Sequence, residues 1–349
     1  MKSFNKYFVY RLKSSALRTF ILAILSLAIT MTAVPTEISS DLVSRHKAGL
    51  TVYALILMVF CSIIPILESA PFKDRRNLDT LYSLPITRWK MALAHYLSGF
   101  IQVIVIYSLS FFSAWIYLKT HTDYFSLEYM LPYYLLSLLV GLVIYSLFMF
   151  IFGQANTVAD GVIFCVLWIS VFSIISTSII HQISIHTLYD IEYSDLSYTI
   201  ENWNRMYDPI NNLTVIFEDL IETNRYIGYD YYDYYYDYTF QNATEYRETA
   251  YMFGIWAFLG ISATIGYLIS FVKKGAEKAG EISDSWFGYK ILIPAYAYSA
   301  FSYGNSGGIL SVFFSTLMII GYIVYRRGFK WKISDYIVIG VGVVIFLIS

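Results

Sequence analysis

The sequence predicts an all-α polytopic membrane protein with about eight or nine transmembrane or re-entrant helices. Of its 349 residues, 57% are hydrophobic, and the mean hydropathy is +0.55. Only 14% of the residues are charged, whereas soluble domains contain about 25%. Several uncharged runs reach the roughly 20 residues that a helix needs to cross a bilayer. The two cysteines, Cys61 and Cys165, fall inside such runs, which indicates neither a disulfide framework nor a metal site.

The distribution of charge predicts how the chain is oriented. Residues 1–18 contain five basic residues and no acidic one, which predicts a cytoplasmic N-terminus because Lys and Arg accumulate on that side. Residues 182–248 contain 13 acidic and three basic residues and are predicted to form a large extracytoplasmic region. Eight tyrosines occur within 226–238. A solvated loop tip is the preferred interpretation of this cluster, and a substrate-facing surface is the alternative.

Six apolar runs are predicted to form spans 1 to 6, with residues 182–248 between the last two. The spans cover approximately 19–36, 48–67, 91–118, 129–152, 161–181 and 249–272. The first is predicted to be a retained helix, because Pro35 and Glu37 follow it instead of a small-residue cleavage site. His95 and Gln102 are predicted to lie in span 3. No Asp or Glu is predicted deep within a span, so a proton relay has no obvious carrier.

Residues 273–349 are predicted to add further membrane helices. The uncharged stretch 291–325 is interrupted by a glycine-rich break at 304–308 and followed by basic residues within 326–332. Because both flanks are predicted on the inner side, the chain between them must cross an even number of times. Either 286–303 and 308–325 form two spans, or the first of them is re-entrant. A last apolar run covers 334–349.

Residues 68–90 form a charged segment between predicted spans 2 and 3, and its basic residues predict a cytoplasmic location. Apolar side chains recur in it at positions i, i+3 and i+4, namely Leu78, Leu81 and Tyr82. This spacing predicts a short helix with one apolar face at the membrane interface, with Asn77 as its N-cap. Such a helix can be contacted from the cytosol and can act on the two spans that it joins.

A proline break separates this helix from span 3. Pro85 disfavours the α conformation at Leu84 and so ends the helix, and Thr87 is predicted to cap the helix that follows. Glu68 at the end of span 2, with Leu84-Pro85-Ile86-Thr87-Arg88 ahead of span 3, resembles the signature of the ABC-2 type permeases. These proteins are the membrane subunits of type V ABC exporters.

The resemblance covers residues 1–272 and implies a six-helix permease core, from which the tail 273–349 departs. It implies that 68–90 is the coupling helix, which docks on a separate ABC ATPase subunit that binds the ATP. The implied coupling residues are Glu68, Arg75, Arg76, Leu78, Leu81, Tyr82, Leu84, Pro85 and Arg88. It further implies a homo- or heterodimer with a second permease subunit in a cell membrane, with the bacterial cytoplasmic membrane favoured. The lipid bilayer is the remaining expected partner, and no nucleic acid is expected.

A membrane-embedded enzyme and a sensor subunit are the alternative function classes. No G-x-x-x-x-G-K-[ST] motif occurs in the sequence, so ATP hydrolysis is expected on a partner chain. Gly304-Asn305-Ser306-Gly307 matches the G-x-S-G of rhomboid-type proteases, but all five histidines precede the serine and a glycine-rich turn is preferred. A sensor would carry a cytosolic effector domain, for which no inner segment is long enough. No catalytic residue, cofactor or metal ligand is predicted on this chain.

Overall fold

The structure is a computed structural model that describes residues 2–40, 50–121, 127–171, 238–303, 308–329 and 331–348. All regular structure in these residues is helical, and no β-strand occurs among them. The predicted all-α class is therefore confirmed for this part of the chain. The described residues belong to two compact units, which are taken in turn.

The first unit is built mainly from five long helices and one short helix. They are α1 (Lys2–Ser40), α2 (Leu50–Ser69), α3 (Arg75–Tyr82), α4 (Arg88–His121), α5 (Leu127–Gln154) and α7 (Tyr238–Lys273). The described residues of this unit fall within 1–72, 76–150 and 205–274. Helix α4 packs against α1, α2 and α7, so it organises the core of the unit.

Among the residues that the structure describes, five helices are long and apolar enough to cross a membrane. Their apolar stretches are Phe4–Val34, Val52–Lys73, Arg88–Thr120, Tyr133–Gln154 and Gly254–Lys273, which correspond to predicted spans 1 to 4 and 6. Helix α1 runs without a break from Lys2, although the sequence predicts a span that begins only near residue 19. Large apolar side chains on α1 remain exposed, among them Leu17 and Phe20. Such a surface suits contact with lipid.

Tyrosine and small hydroxyl side chains fill the space beside α4. Tyr107 donates a hydrogen bond of 2.9 Å to Ser137 on α5. The Tyr96 hydroxyl oxygen lies 2.6 Å from the Ser146 hydroxyl and 3.0 Å from that of Thr264 on α7. A hydroxyl group without a partner is costly to bury in an apolar environment. These pairs therefore stabilise the packing of α4 against α5 and α7.

The second unit contains four shorter helices among its described residues. They are α6, described over Val158–Val171, α8 (Ile291–Tyr303), α9 (Gly308–Arg326) and α10 (Ile333–Ile348). A π-helical turn, Trp286–Lys290, precedes α8. Helix α9 packs against α8 and α10, and its Met318 and Tyr322 are buried beside Ala297 and Ile339. The two predicted apolar segments on either side of the glycine-rich break are thus both helices.

Ionised side chains meet near the ends of α9 and α10, in a group that we call the Asp284 cluster (Asp284, Lys290, Arg326, Lys332 and Asp335). Asp284 pairs with Lys290 at 3.0 Å, with Arg326 at 2.9 Å and with Lys332. Arg326 also donates two hydrogen bonds to Asp335, at 2.8 and 2.9 Å. Burial raises the pKa of Asp284, but the hydrogen bonds from Lys332 and Lys290 and the charge of Arg326 outweigh it and hold that pKa well below its ordinary value.

Several predictions concern residues outside the described part of the chain. Of the predicted extracytoplasmic region 182–248, the structure describes only the stretch from residue 238, which is helical. The G-x-S-G match at 304–307 also lies outside the described residues. The interpretations of these stretches stay predictions.

Candidate coupling segment and the Glu68 cluster

The predicted coupling segment, residues 68–90, leads from the end of α2 to the start of α4. A 3₁₀ turn covers Ala70–Lys73, and α3 follows over Arg75–Tyr82. The predicted short helix is therefore present, but Asn77 lies inside it and is not its N-cap. Asp74 directly precedes the helix, where a negative charge favours the N-terminal end of the helix dipole.

The break after α3 follows the predicted pattern. The Leu84 N–H donates to the Leu81 carbonyl at 3.3 Å, and the helix does not continue into Pro85, which has no N–H to donate. Helix α4 begins directly after Thr87, whose carbonyl accepts the first helical hydrogen bond from Met91 at 3.1 Å. Thr87 thus occupies the predicted capping position.

The apolar side chains assigned to coupling differ in exposure. Leu78 is only 3% exposed, so its side chain is covered by this chain itself. Leu81 and Tyr82 are half-buried, whereas Leu84 and Pro85 are exposed. The apolar surface that another protein can reach is therefore centred on the C-terminal end of α3 and the break that follows it.

Of the arginines assigned to coupling, Arg75 is engaged with its own chain. Its Nε donates to the Ala279 carbonyl at 2.7 Å, and its Nη2 lies 3.6 Å from a carboxylate oxygen of Glu281. Arg76, the next residue of α3, is exposed. Arg75 therefore secures the start of α3.

Arg88, the first residue of α4, is also engaged within the chain. Its guanidinium carbon lies 4.4 Å from the centre of the Tyr82 ring, a cation–π contact. Its Nη1 donates to the Lys274 carbonyl at 3.3 Å, just beyond the end of α7. Arg88 thus connects the start of α4 to the end of α3 and to α7.

Lys73 has a clear structural role that the sequence analysis did not recognise. Its ammonium group donates to the carbonyls of Phe152 at 2.9 Å, of Gly153 at 3.4 Å and of Ala155. The first two carbonyls belong to the last turn of α5 and the third directly follows it, where a cation complements the helix dipole. The side chain is buried, and these bonds satisfy its donors.

Glu68 lies at the centre of a polar group that we call the Glu68 cluster (Arg11, Arg18, Glu68, His95 and Gln102), in which the two arginine side chains are 15% and 31% exposed and the other three residues are buried. Arg11 pairs with one carboxylate oxygen at 2.7 Å, and Arg18 pairs with the other. Gln102 donates to the carboxylate at 2.8 Å, and His95 Nδ1 lies 3.3 Å from it. Neither Glu68 nor His95 has exposed surface. The cluster joins α1, α2 and α4 through one carboxylate.

The cluster contains more positive than negative charge. One carboxylate faces two guanidinium groups, and the excess is met by neutral acceptors: Arg18 also donates to the Gln102 side-chain oxygen at 2.9 Å and to the Leu67 carbonyl at 3.4 Å. Buried charges are stable only when such partners satisfy them. Loss of Glu68 would leave both arginines without a counter-ion.

The close approach of the helices around Glu68 requires a small residue on α4. A Cβ atom at Gly99 would collide with the Tyr145 hydroxyl and would lie 3.1 Å from Glu68 Cγ. Gly99 therefore leaves the space that α2, α4 and α5 share at this level. Glycine is the only residue that provides it.

The sequence does not predict the cluster as a unit, although it places Glu68 at the end of span 2 and His95 and Gln102 in span 3. Arg11 and Arg18 lie seven residues apart, as do His95 and Gln102, and a separation of two turns places each pair on one helical face. That spacing was the available signal. Glu68 lies near the end of α2, as predicted, and its side chain is fully buried.

The described residues of the segment and the cluster form ion pairs, hydrogen bonds and apolar contacts. No group of three or more His, Cys, Asp or Glu side chains in this part of the chain could hold a metal ion. Cys61 and Cys165 are both buried and free. Comparisons of the chain with protein-family models, with curated proteins and with solved structures find no match.

Proposed function

We propose that the chain is the membrane-spanning permease subunit of an ABC transporter, an exporter driven by a separate ATPase subunit. The observation that carries this proposal is the local structure of residues 68–90. A short helix with an accessible apolar end lies between two long apolar helices, and the Glu68 cluster ties its base to a third. An element of this kind can receive a displacement from a bound protein and pass it to several helices.

The docking surface in this proposal is Leu81, Tyr82, Leu84 and Pro85, with Arg76 beside it. When a helix docks in a groove, a few apolar anchors supply most of the binding energy. An exposed charge such as that of Arg76 mainly steers association and makes it sensitive to salt. The remaining implied coupling residues act within the permease, because they are buried or bound to other parts of the chain: Glu68, Arg75, Leu78 and Arg88.

Transmission in this proposal uses both chain connectivity and the Glu68 cluster. A displacement of α3 acts directly on α2 and α4, which flank it in the chain. It acts on α1 through the bonds of Arg11 and Arg18 to Glu68. Breaking a buried ion pair by removing one partner costs about 3–5 kcal/mol, so the three helices move together more readily than they separate.

The proposed assembly is a homo- or heterodimer of permeases with two ATPase subunits that bind the ATP. Residues 1–272 form the permease core, with 182–248 outside the cell membrane and the N-terminus in the cytoplasm. Residues 273–349 add membrane helices, for eight or nine in total. The excess of basic residues in the stretches assigned to the inside supports this orientation.

The direct test is affinity purification of the tagged full chain from its native membranes in mild detergent. We expect an ATP-hydrolysing subunit with a phosphate-binding motif to be retained. Leu84→Asp should reduce its retention about tenfold or more, since the loss of a good anchor costs about 2 kcal/mol. Thr80→Asp is the matched control, because it places the same charge on an exposed polar position of α3, four residues before Leu84.

Two results would contradict the proposal. One is a chain that is folded, monomeric and active without an ATPase. The other is equal recovery of the ATPase with the parent chain and with the Leu84→Asp variant, provided that the variant elutes at the same volume as the parent and is therefore folded. In the second case residues 68–90 are only a connection between two helices.

A further inference from the structure

A cleft of about 830 Å³ lies within the second unit, apart from the coupling segment. Its apolar walls come from α6, α8 and α9: Leu167, Leu292, Ile293, Ala297, Leu317 and Met318. Its volume falls within the range of about 300–1,000 Å³ that is typical of ligand sites. A cleft between apolar helices of this size suits the hydrocarbon part of an amphipathic molecule.

The polar residues of the cleft come from one end of its three helices. Asp160 lies in the first turn of α6, Tyr289 lies in the π-helical turn ahead of α8, and Arg327 directly follows α9. A hydrogen bond of 2.9 Å from the Tyr289 hydroxyl to Asp160 joins two of these elements at that end. The cleft is therefore amphipathic along its length. The connections that supply its polar end are those that the sequence predicts on the inner side of the membrane.

The polar end of the cleft contains both acidic and basic side chains. Asp160 accepts hydrogen bonds from Ser283 at 2.7 Å and from Tyr289 at 2.9 Å, but no basic side chain of the described residues pairs with it. Glu281 is a second carboxylate and has only a long contact to Arg75. Arg327 is exposed, and its guanidinium has no partner in the described part of the chain.

We propose that this cleft binds a zwitterionic phospholipid with a primary ammonium headgroup, of the phosphatidylethanolamine type, from the inner leaflet. An acyl chain occupies the apolar walls, Arg327 binds the phosphate, and Asp160 with Glu281 binds the ammonium group. Two carboxylates and one guanidinium disfavour a purely anionic headgroup and match a headgroup that carries both charges. The inference depends on the chain lying in a membrane and not on the proposed transport.

The experiment uses the purified full chain in phosphatidylcholine nanodiscs that contain a trace of phosphatidylethanolamine with a photoreactive acyl chain. After irradiation, labelled peptides are mapped by mass spectrometry. We expect the label to concentrate on α8 and α9 around Ile293, Leu317 and Met318. Excess unlabelled phosphatidylethanolamine should reduce the label about tenfold, since hydrogen bonds to charged groups distinguish the headgroups. The same excess of phosphatidylglycerol should reduce it far less.

Two pairs of variants test the walls and the headgroup site separately. Leu317→Trp fills the cleft and should reduce labelling about fivefold or more, whereas Val312→Trp, on the exposed surface of the same helix, should not. Arg327→Gln should weaken labelling by a similar factor, and Lys278→Gln, which removes an exposed charge outside the cleft, should leave it unchanged. Elution volume and melting temperature confirm that each variant is folded. If Leu317→Trp fails this check, the Arg327→Gln pair still decides the question.

Labelling that is spread equally over α1 and α9 and is unaffected by both test variants would show ordinary lipid contact and overturn the proposal. Competition by phosphatidylglycerol as effective as that by phosphatidylethanolamine would overturn the headgroup assignment.

Discussion

The Glu68 and Asp284 clusters both gather carboxylates among several cations, but in different surroundings. The Glu68 carboxylate has no exposed surface and lies among long apolar helices. The Asp284 carboxylate is 34% exposed and lies where short connections meet the ends of helices. Glu68 is shared by two arginines on one helix, whereas Asp284 is shared by cations from three separate stretches of the chain.

This contrast shows that the number of ion pairs does not indicate their importance. A solvent-exposed pair contributes about 0–1 kcal/mol and is weakened by salt, because water already solvates both charges. A buried pair is weak evidence for stability as a whole, but removal of one partner leaves a charge that nothing solvates. The two clusters should therefore respond very differently to the loss of a single charge.

The largest difference is expected from Glu68→Gln. The variant keeps the shape of the side chain but leaves Arg11 and Arg18 without a counter-ion, so the free energy of unfolding should fall by about 3–5 kcal/mol. Unfolding in detergent micelles by added dodecyl sulfate, followed by circular dichroism, measures the change. The double variant Arg11→Gln/Glu68→Gln should lose less than the sum of the two single variants. A loss below about 1 kcal/mol for Glu68→Gln would show that the Glu68 cluster is no more sensitive to the loss of a charge than a solvent-exposed ion pair.

An intermediate effect is expected at Asp335, the least exposed carboxylate of the Asp284 cluster. It binds Arg326 with two hydrogen bonds and accepts the Lys332 N–H at 3.0 Å, at the start of α10. Asp335→Ala removes a helix-capping bond and a bidentate pair, so we expect a loss of about 2 kcal/mol in the same unfolding assay. Ser334→Ala, one residue away, is the control: it removes only a long hydrogen bond of 3.4 Å from Lys290 and should change stability by less than about 0.5 kcal/mol.

A smaller, pH-dependent effect is expected at Asp284. Because Lys332, Lys290 and Arg326 hold its folded-state pKa below the unfolded value of about 3.9, its contribution is present above about pH 4 and declines as the pH falls toward the folded pKa. Allowing for solvent screening, Asp284→Asn should cost about 1 kcal/mol at pH 7. Unfolding measured at pH 7 and pH 3 should show a smaller gap between parent and variant at pH 3. A gap that widens toward pH 3 would mean that the carboxyl group is protonated in the folded state.

The smallest effect is expected at Lys332, whose side chain is 61% exposed where it pairs with Asp284. Lys332→Gln should cost at most about 0.5 kcal/mol and leave the backbone bond to Asp335 intact. Raising the salt concentration from about 0.1 M to 1 M shortens the Debye length from about 10 to 3 Å and should abolish the difference. A large, salt-independent loss would place Lys332 in the same class as the Glu68 cluster.

Local features of the coupling segment were largely predictable from the sequence. Pro85 ends a helix through its own geometry, and Thr87 begins the next by capping it, so both act within a few residues. The start of α3 differs from the prediction by three residues, because Asn77 is a common N-cap but Asp74 precedes the helix instead. Nothing in the periodicity of α3 shows whether Leu78 faces its own chain or a partner. In the structure, its side chain is buried by other residues of the same chain.

The Glu68 cluster could not be derived in this way. Glu68 meets residues 57, 50 and 34 positions away, on two other helices. Helical spacing identifies which residues share a face, but which faces meet depends on how the helices pack. The role of Lys73 could not be predicted for the same reason. Its partners are backbone carbonyls about 80 residues further along the chain, and a backbone carbonyl is present at every residue whatever its side chain.

The position of Glu68 after Arg11 and Arg18 in the chain has a consequence for biosynthesis. A chain that enters the membrane from its N-terminus presents both guanidinium groups before α2 is made, so the carboxylate of α2 meets its counter-ions on arrival. Glu68 is the next-to-last residue of α2, where an unpaired charge is still costly to bury away from water, and the earlier arginines lower this cost. A chain that starts at residue 41 should therefore insert α2 poorly, which protease protection in isolated membranes would reveal. Efficient protection of α2 in that shortened chain would show that α2 inserts without help from α1.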